Sequence, residues 1–340
     1  MIGTAERPPG SRQGPAYLLA VGAGVLWGTA GPFSVGLVRA GLSPESVAIL
    51  RPLLGSAALA ALLLHPAWRG PRLGFRGLLL LAGGGGILVG LFQMAYQQST
   101  AALGVASTVA LLYLFPALVL ALSGPLLREW PSPARVAMGC LSVLGVWIAV
   151  VGASGGVRFT PSGLAWGLLT GASFGGYTLL GRHAAPHFGA LPTLVWSTAG
   201  GTLLLAGAYV AAGTPVSLPG EAWGWVLLIL FTLTTIPAAS LLYFGALARI
   251  DAGRAAVGAT VEPLVGTLLA WLLLAQAVGP VTWVGLLVLV TGVAGTYLVG
   301  RRPGAAVNPV ESPPPPHPLP RPGSGGGSHH RGPTPPAGRG

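Results

Sequence analysis

The sequence predicts an all-α integral membrane protein of ten transmembrane helices, arranged as two inverted five-helix repeats. Three observations carry that expectation. Only 7% of the 340 residues are charged, 52% are hydrophobic, and lysine is absent, whereas a water-soluble domain carries about a quarter of its residues as charges. Apolar runs of about 20 residues, enough to cross ~30 Å of hydrocarbon at 1.5 Å per residue, fill almost the whole chain. Finally, the stretch from Leu103 to Arg135 returns 147 residues later, with Val261-Glu262-Pro263 standing where Leu114-Phe115-Pro116 stood and Ala275-Gln276 replacing Arg128-Glu129.

Hydrophobic runs and their Gly, Pro and charge punctuation place the spans at 15 to 38, 45 to 64, 75 to 98, 103 to 123, 134 to 152, 161 to 181, 189 to 211, 222 to 246, 254 to 275 and 280 to 299. Connections are short, so consecutive helices are antiparallel neighbours. Backbone polar groups have no water to bond in lipid, so these Val- and Leu-rich runs read as helices rather than strands. Residues 1–14 carry Arg7 and Arg12 and lead into a span too closely followed by others to be a cleaved leader. Residues 15–152 form the first repeat and 153–299 the second. At the same offset Trp27-Gly28 falls on Phe174-Gly175, Tyr96 on Tyr243, Pro116 on Pro263, Pro133 on Pro280 and Gly145 on Gly292. Five spans is an odd number, so the second repeat enters the membrane from the opposite side. Inverted repeats of this kind build a site at the bilayer midplane and expose it to each side in turn. Residues 300–340 turn abruptly to Pro, Gly, Ser and His, which cannot bury enough apolar surface to fold, and read as a disordered cytoplasmic tail.

The net charge of +11 comes from arginines scattered singly through loops and tail. No Arg-rich helix face exists to follow a phosphate backbone, which excludes a nucleic-acid partner. The arginines report topology instead: fifteen fall on the side of the N-terminus and two, Arg39 and Arg158, on the other. Both termini are therefore expected in the cytoplasm, with the chain in the cytoplasmic membrane. The lone Cys140 excludes a disulfide framework and reads as a small buried hydrophobe. Gly83 to Gly86 lack a following Lys-Ser or Lys-Thr and read as helix packing. His183 and His187 are four apart, but Pro186 is expected to interrupt the helix between them, and neither they nor His329-His330 make a metal site. No metal, cofactor or nucleotide-binding motif is expected.

Trp27-Gly28, the ILRPLLGSAALAALLL run with Arg51, the YQQSTAALGVASTVALLYLFPALVLALSGPLLRE passage and VEPLVGTLLAWLLLAQ together resemble the EamA-type branch of the drug/metabolite transporter superfamily. The likeness covers residues 15 to 299. It departs at Ala275-Gln276, where a Gly-Glu usually closes span 9, and in the absence of Lys from the loops. The resemblance implies a ten-helix inner-membrane carrier, commonly an exporter of amino acids, metabolites or drugs.

Several residues within the spans are candidates for transport. Glu262 is the one carboxylate inside a span, where a charge costs ~2.5 to 3.5 kcal/mol and therefore faces a partner or a wet cavity. It is read either as a proton carrier or as a structural contact near the cytoplasmic end of span 9. Arg51 is the second intramembrane ion, read as a holder of a carboxylate or as a side chain that snorkels to the outer surface. Gln93, Tyr96 and Gln97 share one helix face at spacing i, i+3, i+4. With Trp27, Tyr113, Phe174, Tyr177, Ser240 and Tyr243 they are expected to line a mostly aromatic substrate cavity with few hydrogen-bonding groups. Pro116 and Pro263 break matched spans and are expected to act as hinges or as static bends. The expected function is export of a small organic solute by alternating access, with protons as a coupling ion. The alternatives are an uncoupled uptake carrier or facilitator on the same fold and, as a minor one, a membrane-embedded sensor or enzyme. Gly-rich faces leave packing within a monomer and packing in a homodimer both open.

Overall fold

The computed structural model describes residues 13–66, 71, 73–154 and 160–299. The first twelve residues and the tail from 300 onward, together with Arg69, Arg72 and Arg158 of the topology argument, lie outside them. Span 1 comprises α1 (Gln13–Gly28) and α2 (Ala30–Arg39), and span 2 is α3 (Pro44–Leu62). Span 3 runs through α4 (Phe75–Leu78), a π-helical segment (Leu79–Gly85) and α5 (Gly86–Leu103). Span 4 is split into α6 (Val105–Leu112) and α7 (Phe115–Leu127); spans 5, 6 and 7 are α8 (Pro133–Ser154), α9 (Pro161–Phe188) and α10 (Ala190–Ala212). Span 8 is α11 (Ala222–Leu233), a π segment (Thr234–Ala238) and α12 (Ala239–Leu247). Span 9 is split into α13 (Ala252–Ala259) and α14 (Glu262–Leu274), and span 10 is α15 (Pro280–Leu298).

Local chemistry sets the helix starts. Ser43 Oγ accepts from the Ser46 N–H (3.1 Å) and Thr160 Oγ1 from the Gly163 N–H (3.2 Å), serving donors that have no partner inside the helix. Pro44, Pro133, Pro161 and Pro280 stand first in their helices, where no N–H is needed. Two spans run further than hydrophobicity indicates. Span 3 continues through the polar Gln97-Gln98-Ser99-Thr100, because Ser99 bonds Thr108 Oγ1 and the Gly163 carbonyl inside the protein. Span 6 continues through Pro186 to Phe188 and ends at Gly189 with φ +89°. The break expected at Pro186 does not occur, since a proline in the final turn forfeits one backbone bond without ending the helix.

Nine of the ten spans are long and apolar enough to cross a membrane. The tenth, α9, is long enough at 28 residues but rich in Gly, Ser and Thr. It needs less apolar surface because it sits among α5, α6, α7, α10 and α12, and thirteen of its residues, from Gly163 to Ala185, are buried. Spans 5 and 10 lie backbone to backbone: a side chain on Gly145 would run into the Leu289 backbone, and one on Gly285 into that of Ala149. Small residues permit this close approach, which drives helix association where lipid removes the hydrophobic incentive. Gly85 and Gly86 meet Ser197 and Gly200 of α10 in the same way, so the glycine run is a packing surface. Cys140, expected to be buried, is exposed on the outside of α8.

The inverted repeat is clearest in spans 4 and 9. Shifting α6 by 147 residues gives the bounds of α13, and shifting α7 gives those of α14. Both second halves end on a non-glycine residue in the left-handed region, Arg128 (φ 58°) and Ala275 (φ 52°). Pro116 and Pro263 do not kink continuous helices. Each is the second residue of a new half-helix, just beyond a break at Tyr113-Leu114 or Thr260-Val261. Antiparallel alternation of the ten spans puts the start of α1, the end of α15, Glu129 and the α12–α13 turn at one end of the bundle, called here the Glu129 end.

Candidate functional site

The two helix breaks bring polar side chains to the middle of the bundle. Glu262 is the first residue of α14, eleven positions into span 9. A carboxylate there meets the positive end of the half-helix dipole, which favours negative charge. This settles its place: it lies mid-span rather than at the end of the span. The Tyr113 hydroxyl, from the matching break in span 4, faces the Glu262 carboxyl group. The charges of Glu262 and Arg51 act on each other, and both act on Tyr96. Spans 2, 3, 4 and 9 thus contribute one charged or phenolic group each to a single cluster.

Arg51 does not snorkel to the end of its helix. Its guanidinium carbon stands 4.2 Å over the Phe231 ring of α11, and its buried Nε has no hydrogen-bond partner. Stacking on an aromatic face stabilises a cation in a dry setting. Arg51 and Glu262, on spans 2 and 9, interact electrostatically.

An aromatic cage adjoins this cluster. Trp27 of α1 meets Tyr243 of α12 edge to face (5.3 Å between centroids) and Phe174 of α9 likewise (6.0 Å). Phe174 also contacts Phe115 (4.7 Å) and Phe92 (5.2 Å), and Phe92 leads to Tyr96 (6.1 Å). The Trp27 indole donates to the Thr235 carbonyl at 2.8 Å. Thr235 lies in the π segment of span 8, where the altered ladder leaves a carbonyl free to accept a side-chain donor. Trp27, Arg51, Gln93, Tyr96, Gln97, Ser240 and Glu262 are all half-buried within their spans.

The structure brings Arg51, Tyr96, Tyr113 and Glu262 together and sets Trp27 and Tyr243 in the adjoining cage, while Gln93, Gln97 and Ser240 are half-buried on spans 3 and 8. Tyr177 is buried against Phe244, its hydroxyl beside Thr198 of α10, and joins the cage through Phe244 and Tyr243. The Tyr243 hydroxyl is engaged with Thr178 Oγ1 at 3.0 Å, so Tyr243 offers the cage its ring. Phe174, expected in the lining and the repeat partner of Trp27, is in the cage, and Phe92 joins it through packing. His183 and His187 stack at 5.6 Å on the intact end of α9, and no group of three metal-ligating side chains occurs among the described residues.

The model of the EamA-like transporter family matches residues 14–151 and again 161–298. The chain belongs to the EamA-like transporter family. This EamA-like chain is 25% identical over 215 residues to YicL, an uncharacterised inner membrane transporter of Salmonella typhimurium, the match covering 62% of this chain and 69% of the relative. A crystal structure of a protein 20% identical in sequence superposes with a TM-score of 0.73, covering 85% of this chain and 98% of the other, which supports the fold alone. The EamA-like chain is thus a multi-pass membrane transporter.

Proposed function

We propose that the protein is a secondary transporter of the inner membrane that exports a small zwitterionic or amphipathic organic solute by alternating access, coupled to protons through Glu262. The observation that carries this reading is the pairing of two opposite charges, Arg51 and Glu262, that act on each other while the buried Arg51 Nε has no hydrogen-bond partner. A solute bearing a carboxylate and an ammonium group completes both, giving its acidic end to the unpaired Arg51 Nε and its basic end to Glu262. The Trp27, Phe92, Phe174 cage then packs its apolar part. When Glu262 takes a proton instead, the ammonium loses its partner and the solute is released, which couples the two fluxes. The arginine bias makes the Glu129 end cytoplasmic.

The test is flux into proteoliposomes of purified wild type and Glu262→Gln, scanning a solute library with an imposed pH gradient. The expected result is gradient-dependent flux in the wild type that is lost in Glu262→Gln. Flux that ignores the gradient in both proteins overturns coupling and leaves a facilitator. Flux of anionic and cationic solutes that survives Arg51→Gln overturns the zwitterion reading.

A further inference from the structure

The two ends of the bundle are closed by different chemistry. At the Glu129 end, Arg182 Nε of α9 donates to Glu129 Oε1 at 2.6 Å, and Arg182 Nη1 donates to the carbonyl of Leu247, the last residue of α12, at 2.8 Å. Glu129 Oε2 accepts from the N–H of Ala252, the first residue of α13, at 2.9 Å. One ion pair therefore joins the loop after span 4 to spans 6, 8 and 9. It sets a cation on a helix C-terminus and an anion on a helix N-terminus, the favourable sense for both dipoles. Arg135 and Asp251 add a second pair at 3.4 Å. Beneath these charges Leu120 of α7 fits notches left by Gly253 of α13 and Gly139 of α8. Every residue from Ala252 to Thr260 is buried.

At the opposite end hydroxyls rather than charges make the ties, Ser46 Oγ with Ser217 Oγ at 3.0 Å and Thr108 Oγ1 to Ser99 Oγ at 2.9 Å. The half-helix α14 contains no buried residue. Whereas α7 packs on α13, their repeat counterparts α6 and α14 make no comparable contact among the described residues. At the offset of 147, Glu129 corresponds to Gln276, Arg182 to Val35, Arg135 to Thr282 and Asp251 to Gly104. The Glu129 end is tied by charges that have no counterparts in the inverted repeat, and α14, in the opposite half of span 9, is the less buried half-helix.

We propose that the Glu129–Arg182 pair is a gate, broken and remade in each transport cycle, and that the opposite gate is uncharged. This rests on the alternating-access reading but not on the solute or the coupling ion. An ionic closure suits a reversible gate. The side chains are 12% and 7% exposed, so their attraction works against a large desolvation penalty, and water entering on opening returns that hydration. An apolar plug of the same size would gain nothing from the water that opens it. The asymmetry makes the resting protein favour the state closed at the Glu129 end.

Cysteine accessibility tests this without a known solute. In purified Cys140→Ser protein, a hydrophilic methanethiosulfonate is reacted with Ala256→Cys, fully buried on α13, with Thr267→Cys on the unburied α14, and with Ala149→Cys, buried where spans 5 and 10 meet. With the pair intact, Thr267→Cys reacts quickly and the other two slowly. Adding Glu129→Gln or, separately, Arg182→Gln is expected to raise the Ala256→Cys rate roughly tenfold or more, the response to a population shift of that factor, while Ala149→Cys stays slow. An unchanged Ala256→Cys rate in both variants overturns the gate. So does a parallel rise at Ala149→Cys, which marks general loosening. If Ala256→Cys opens as expected but liposomes carry no solute, the gate stands and the transport reading is the one that fails.

Discussion

The seat of Leu120 can be tested by a double-substitution cycle whose outcome is non-additive. Leu120 is 4% exposed, and a Cβ added to Gly253 would lie 2.5 Å from its Cδ2. Leu120→Ala leaves a cavity between α7, α8 and α13 and is expected to destabilise by ~3 kcal/mol. Gly253→Ala forces the contact, costing ~2 kcal/mol of overpacking and regaining ~1 kcal/mol of helix propensity, a net loss of ~1 kcal/mol. Added independently, the two give ~4 kcal/mol. In the double variant the new methyl occupies part of the vacated space and the clash disappears, so the expected loss is ~2 kcal/mol and the coupling ~2 kcal/mol. Reversible unfolding in mixed micelles titrated with sodium dodecyl sulfate, followed by the fluorescence of the ten tryptophans, measures all four corners. Additivity within ~0.5 kcal/mol would refute the packing account and, with it, the seal beneath the ion pair.

Two further outcomes follow from other contacts. Tyr243→Phe removes one of the two bonds of the buried Thr178 hydroxyl, which keeps its donation to the Phe174 carbonyl, so the loss is ~1 kcal/mol in the same titration; adding Thr178→Val should cost less than the two single losses combined. Gly285→Leu drives a branched side chain into the Ala149 backbone, so size-exclusion chromatography is expected to show aggregated protein, whereas Leu287→Ala, on the exposed side of the same helix, elutes as the wild type does.

Much of the architecture was legible because lipid imposes a length and a repeat imposes an offset. The matched Pro116 and Pro263 pointed to two special spans, and the structure makes each a pair of half-helices with identical relative bounds. Their role was not legible: the same proline that bends a continuous helix also starts a new one, and the choice depends on the residues before it. The site was legible as a set of residue types and not as an arrangement. Arg51 and Glu262 are separated by 211 positions, and nothing local to either announces the other. Glu129 was visible as an oddity of the first repeat, since its counterpart is Gln276, but its bond to Arg182 depends on where α9 ends. That end lies seven residues beyond the last strongly apolar stretch, hidden by His183 and Pro186.

The composition of α9 bears on how the protein is made. Its 28 residues include six glycines and a buried arginine, and each of the other nine spans is apolar enough to partition into a bilayer by itself. A segment this weakly hydrophobic gains little by leaving the insertion machinery alone. It becomes stable in lipid only once α5 and α7, synthesised before it, and α10 and α12, synthesised after it, cover its polar faces. The ribosome must therefore add some 60 residues beyond Phe188 before that shell is complete at Leu247. Through that interval span 6 is the part of the nascent chain most open to slipping back out of the membrane and to capture by quality-control proteases.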